Sequence, residues 1–159
     1  MPRKILRYRT YRYRNLRLSL SPMIRYPIQI YPAQKVGNLL RVNASIGGHT
    51  SQVAVLRLLI DTGASYTILP INPLKPLGYD LNQSKFKRQI VTASGVVQVP
   101  FITVNWLNCL GIRMENFPVA LYDLPVSSKL DGILGMDFLI QNRAIVATGE
   151  SEIYLPLLK

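Results

Sequence analysis

An apolar run that ends in an acid constrains this chain more than any other stretch. Leu58-Leu59-Ile60 reads as a buried strand, and Asp61-Thr62-Gly63-Ala64-Ser65 follows it directly. A carboxylate at the end of such a strand is costly to bury unless it is hydrogen-bonded, paired or neutralised. The fold therefore has to supply Asp61 with partners, and the rest of the chain is read with that demand in view.

The flanking pattern is all-β. Leu40 to Ile46 alternates apolar and polar residues, as a half-buried strand does. Gly47-Gly48-His49-Thr50 reads as a turn, and Val53 to Ile60 runs back to complete a hairpin. Tyr66 to Leu69 reads as a short strand stopped by Pro70. Asn72 to Leu77 fits one helical turn, with Pro73 at a first helical position and Gly78 as the stop. Ile90 to Val99 reads as two strands around a two-residue Ser94-Gly95 turn. Phe101 to Leu107 continues as strand, Asn108 to Arg113 as a connection, and Phe117 to Tyr122 as a further strand. Ile133-Leu134-Gly135 is a short apolar strand meeting glycine, followed by a helix with Asp137 in its first turn, where the helix dipole favours an acid. Ala144–Ala147 and Glu152–Leu155 close the chain as a hairpin. Strands dominate and no βαβ repeat is present, so the pattern predicts a small closed β-barrel with one short helix in its C-terminal half.

Charge sets the N-terminus apart. The net charge of the 159-residue chain is +11, yet residues 1–26 hold eight Lys/Arg and no acid, leaving the remainder at only +3. This Arg/Tyr-rich segment and the proline-containing stretch to residue 35 read as a basic, poorly ordered arm and linker, with Ser21–Pro32 as extended linker or edge strand. The domain proper then spans 36–159. Arg with interleaved Tyr also suits nucleic-acid contact through residues 1–26, and an Arg-rich, acid-free start is the composition of an organelle-targeting segment. No apolar run approaches the ~18 residues of a membrane span. The single cysteine, Cys109, rules out an internal disulfide, fits an intracellular setting and reads, like Trp106, as packing. His49 is the only histidine and sits in a turn. Nothing in the pattern calls for a metal or an organic cofactor.

Asp-Thr-Gly after an apolar strand is half of a catalytic device. Two carboxylates held close together share a proton, so one serves as base towards water while the other stays acid. Gly63 lets backbone approach the carboxylate, and Thr62 offers a hydroxyl to lock the loop. The chain has a single such motif: Asp80, Asp123, Asp131 and Asp137 are not followed by a hydroxyl residue and glycine. A dyad then needs Asp61 from a second copy, which a two-fold axis supplies.

Leu59–Ser65 together with Gly132-Ile133-Leu134-Gly135-Met136-Asp137-Phe138-Leu139 resembles the retropepsin-like aspartic proteases, the single-lobe, dimeric branch of the pepsin type. The resemblance spans roughly Leu39 to Leu157. It implies Asp61 as catalytic residue and Thr62 as the cross-dimer hydrogen-bonding residue, with Gly63, Ala64 and Ser65 supporting the loop. It also implies Thr92, Ala93, Ser94, Gly95 and Val96 as a flap over the substrate, and Ile133, Leu134 and Gly135 as the hydrophobic-glycine element behind the loop. Met136 stands where the retroviral enzymes carry Arg, which places the chain nearer the cellular type. The expected activity is that of a homodimeric aspartic endopeptidase acting on an extended peptide. The competing expectations are a non-catalytic peptide-binding or assembly module of the same fold, and a nucleic-acid-associated protein acting through the arm.

Overall fold

The computed structural model describes residues 27–80, 87–92, 95–124 and 130–157. Residues 1–26 of the expected basic arm, residues 81–86, the flap residues Ala93 and Ser94, and residues 125–129 and 158–159 fall outside the described residues. Eleven strands and one α-helix are present among those described.

The N-terminal strands are β1 (Ile28–Pro32) and β2 (Gln34–Val36), followed by β3 (Leu39–Gly47), β4 (Val53–Ile60) and β5 (Ile68–Leu69). Next come β6 (Lys87–Thr92), β7 (Gly95–Cys109), β8 (Ile112–Leu121) and β9 (Gly132–Leu134). The helix α1 (Met136–Gln141) precedes β10 (Ile145–Ala147) and β11 (Glu152–Pro156). Six strands close on one another in the order β3-β4-β9-β5-β8-β7, with β7 pairing back to β3. This is the small closed barrel that the strand pattern predicts, and closure removes the free edges an open sheet would leave. Two parallel pairings, β4–β9 and β5–β8, sit among otherwise antiparallel neighbours.

The core is one large apolar cluster, with Ile46, Leu58, Leu69, Leu107, Leu134, Phe138 and Ile153 among its fully buried members. Leu58 and Leu134 come from the paired strands β4 and β9, and Phe138 is delivered by α1, with its ring edge-on to Phe117 at 6.3 Å. A second, smaller cluster of Val99, Phe101 and Ala120 lies apart from it, with Tyr66, Ile68, Ile90 and Val97 packed alongside.

Three sequence expectations are revised, and one alternative is resolved. Of linker or edge strand, Ile28–Pro32 is an edge strand: as β1 it pairs along its length with β11. Sheet structure thus begins eight residues before Val36. Tyr66 and Thr67 precede the strand they were expected to open: the Thr67 N–H and hydroxyl are taken by Asp137 of α1, while its carbonyl accepts from Ala120 N–H of β8. Asn108–Arg113 is not a connection: strand pairing continues to Cys109 and resumes at Ile112, leaving a two-residue turn of Leu110 (φ 52) and Gly111 (φ 70). Both turn residues have positive φ, the arrangement whose twist suits a hairpin, and a leucine there gives no sequence cue. Finally, the β6–β7 register is offset by one residue from that of a Ser94-Gly95 turn, since Thr92 pairs with Gly95. This register sets Ile90 against Val97 and Val91 against Val96, whereas the expected turn would have set Val91 against Gln98. Apolar cross-strand matching favours the observed pairing.

Asn72–Leu77 is a 3-10 helix, with Pro76 inside it lacking the N–H an α-helix would need. Gly78 ends it at φ 86, donating its N–H to the Lys75 carbonyl.

Candidate active site

Parallel pairing of β4 with β9 brings the ends of two distant sequence motifs together. Ile60 lies beside Leu134, so Asp61 and Gly135 leave the sheet side by side. The Asp61 N–H continues the ladder by donating to the Leu134 carbonyl at 3.2 Å. The chain then turns sharply. Gly63 N–H donates to Asp61 Oδ1 at 2.8 Å, and Ala64 N–H donates to the Asp61 carbonyl at 3.3 Å. A short side chain bonding the backbone two residues on is how aspartate builds a turn. It also holds one carboxylate oxygen in a fixed direction. A Cβ on residue 63 would stand 3.2 Å from that oxygen, which is the close approach that glycine permits.

Asp61 is half-buried in the single chain, and Thr62, Gly63 and Ser65 are exposed. The full burial expected of the acid is therefore not reached within one copy. The loop that carries it presents its tip to solvent.

Behind the loop lies a hydrogen-bonded clamp that connects it to α1. Thr67 is the one buried polar residue among those described. Its N–H donates to Asp137 Oδ2 at 2.8 Å and its hydroxyl donates to Asp137 Oδ1 at 2.7 Å. The same hydroxyl accepts from Gly135 N–H at 3.2 Å. Asp137 Oδ1 also takes the Phe138 N–H at 2.8 Å, and Met136 N–H donates to the Ala64 carbonyl at 2.8 Å. The first N–H groups of a helix have no partner within it, and here the aspartyl loop and Asp137 satisfy them. Gly135 makes the junction fit: a Cβ there would stand 2.4 Å from the Tyr66 carbonyl carbon. Asp137 is thus a helix-start acid, as its position predicts, with Thr67 as a partner seventy residues away that no local pattern reveals.

The remaining carboxylates nearby have other partners. Asp131 is gripped by Arg57, whose Nε donates to Oδ2 and Nη2 to Oδ1, both at 2.9 Å, while Arg57 N–H adds a third bond at 2.7 Å. The hydrogen bond from Arg57 holds the Asp131 carboxyl below the usual carboxylate range, against a smaller opposing effect of burial. Asp123 accepts the Ile71 N–H at 2.9 Å.

The β6–β7 hairpin projects from β7 and carries Thr92 and Gly95 at its described end, with Val96 exposed. Its inner side meets Tyr66 through the second apolar cluster. Ile133 is half-buried and pairs with Ile68, while Leu134 is buried in the core. Cys109 is buried, and burial pushes its thiol up to about 12. Trp106 packs over Gly47, with the Arg113 guanidinium 4.2 Å from its ring. His49 is exposed in its turn, beside Tyr79. Among the described residues, no three His, Cys, Asp or Glu side chains group to hold a metal, and no helix is long and apolar enough to cross a membrane. A cavity of about 530 Å³ runs along Val53–Arg57 beside Pro73 and Pro76, and Asp61 does not line it.

The aspartyl protease family matches residues 42–138, from β3 through the start of α1, so the Asp61 loop and the Gly135 element both fall within the match. The chain belongs to the aspartyl protease family. Among solved structures it is similar to a retropepsin-like aspartic protease from Rickettsia conorii, with a TM-score of 0.59 and 20% identity. That likeness covers 82% of this chain and 92% of the other, and it establishes the retropepsin-like fold for this family member. No curated protein matched the chain.

Proposed function

We propose that this aspartyl protease family member is an endopeptidase in which two copies contribute one Asp61 each to a shared dyad. The observation that carries the reading is the Asp61 loop: a carboxylate oriented by Gly63 N–H, braced from behind by Asp137 and Thr67, and open to solvent at its tip. A braced loop carrying a half-buried acid behind an exposed tip is what a two-fold neighbour can complete.

In this site one Asp61 is ionised and its mate is protonated, because two adjacent carboxylates cannot both hold charge cheaply. The ionised member takes a proton from a water molecule, whose oxygen attacks the peptide carbonyl carbon. The protonated member hydrogen-bonds the carbonyl oxygen as charge develops there. Proton return to the amide nitrogen lets the C–N bond break, giving a carboxylic acid and an amine. Thr62 is the residue placed to bond across the dimer, with Gly63, Ala64 and Ser65 shaping the loop. The hairpin bearing Thr92–Val96 acts as the lid over an extended substrate bound as a strand. The site needs no metal or organic cofactor. The optimum lies on the acid side, where the pair shares one proton.

Asp61→Asn tests the assignment. Peptide cleavage is expected to vanish while circular dichroism, melting temperature and sedimentation behaviour stay those of the wild type. Full activity in that variant would remove Asp61 from the mechanism.

A further inference from the structure

The inner face of the β6–β7 hairpin carries a charge where its pattern calls for an apolar residue. Arg88 lies opposite Val99, and Ile90 lies opposite Val97. Residues directly across an antiparallel pair share a face, so Arg88 stands on the face that Val97, Val99 and Ile90 turn towards Tyr66. Its guanidinium carbon is 5.1 Å from the Phe101 ring centre and 5.6 Å from that of Tyr66, and Nη1 donates to the Tyr66 hydroxyl at 3.4 Å. The two rings meet edge to face at 5.0 Å. Tyr66 belongs to the segment that begins at Asp61, so the cation is fixed between the hairpin and the aspartyl loop. The surrounding sequence has the same sign. From Leu81 to Asn108 it holds Lys85, Lys87 and Arg88 and not one Asp or Glu.

Stacking on aromatic faces orients a guanidinium, and its planar fork matches a carboxylate with two parallel hydrogen bonds. We propose that Arg88 is a specificity-determining residue, and that the substrate class is an extended peptide with an Asp or Glu side chain at one fixed distance from the cleaved bond. This deepens the endopeptidase reading and rests on it. The basic hairpin adds a field that draws acidic peptides to the site before contact.

The test is cleavage of a randomised peptide library by the full-length wild type and by Arg88→Glu, Arg88→Lys and Asp61→Asn, with all cut sites sequenced. The wild type is expected to enrich Asp/Glu at one position about tenfold, the scale of a hydrogen bond to a charged group. Arg88→Glu should shift that position to Lys/Arg, and Arg88→Lys, which keeps the charge without the planar fork, should retain a weaker acidic preference. The preference should also fade near pH 3, where substrate carboxylates are protonated. Asp61-dependent cleavage without acidic enrichment, or with enrichment unchanged in Arg88→Glu, overturns the role of Arg88 and leaves the endopeptidase reading standing. If Arg88→Glu does not fold, Arg88→Lys decides alone: an undiminished preference overturns the proposal. Absence of any Asp61-dependent cleavage overturns both.

Discussion

The behaviour of single residues here follows from what each side chain finds within reach. Thr67 and Asp137 satisfy each other and the start of α1. Thr67→Val keeps the shape but leaves the buried Gly135 N–H and one Asp137 oxygen without that partner. Lost partners of this kind cost about 1–3 kcal/mol, so the melting temperature should drop by roughly 3–10 °C for a domain of this size. Calorimetry of the variant at neutral pH checks this, and an unchanged melting point would show that the clamp does not matter to stability. Cys109 gives a second prediction. Thiolate is the reactive form, and burial holds this thiol protonated, with a pKa of about 12. Iodoacetamide at pH 8 should leave the folded protein unmodified and label the unfolded chain, as read by intact mass. Asp61 was legible from sequence because its whole setting is local: an apolar strand, then the turn. Thr67 was not, since its partner lies in another motif and a threonine amid apolar residues is ordinary in a strand.

Elements meet the aspartyl loop through junctions too tight for a side chain, and through one ion pair. Gly135→Ala would push a methyl group into the backbone of Tyr66 and Thr67. Overpacking against backbone costs about 1–3 kcal/mol or more, and the shift falls where β9, α1 and the loop converge. Loss of soluble folded protein, or a lowered urea midpoint, is the expected result. Arg57 and Asp131 tie β4 to the start of β9. A carboxyl whose folded pKa lies below its unfolded value of about 3.9 adds stability at every pH above that value. The contribution disappears as pH falls through the lowered folded value. Asp131→Asn should therefore be less stable than the wild type by a constant margin from pH 7 to about pH 5, and the two should converge below about pH 4. Urea titrations at several pH values measure this, and a margin still present at pH 2 would contradict it. At this scale the alternating strands were readable, whereas their limits were not. The Leu110-Gly111 turn carries no asparagine or aspartate signal, and the β6–β7 register is chosen by apolar pairs across the hairpin, which no single strand displays.

The whole molecule is a closed barrel with a separate three-stranded sheet at its termini. In that sheet β11 has β1 on one side and β10 on the other. Its edges along Glu152–Tyr154 are filled within the chain, so a second copy can extend the sheet only at the outer edge of β1 or β10. The fold class was legible because closure follows from many short strands and few helices. The part played by β1 was hidden by three prolines in Ser21–Pro32, which mark an edge strand and a linker equally well. The proposed site is assembled from two chains, and mixing subunits tests this most directly. Wild-type protein is combined with Asp61→Asn in equal amounts, allowed to exchange, and assayed at fixed total concentration. If each site needs an Asp61 from both copies, only wild-type pairs are active, and cleavage falls to about one quarter of that of the undiluted enzyme. Cleavage at about one half, in direct proportion to the wild-type fraction, would mean that each chain works alone and would contradict the shared dyad.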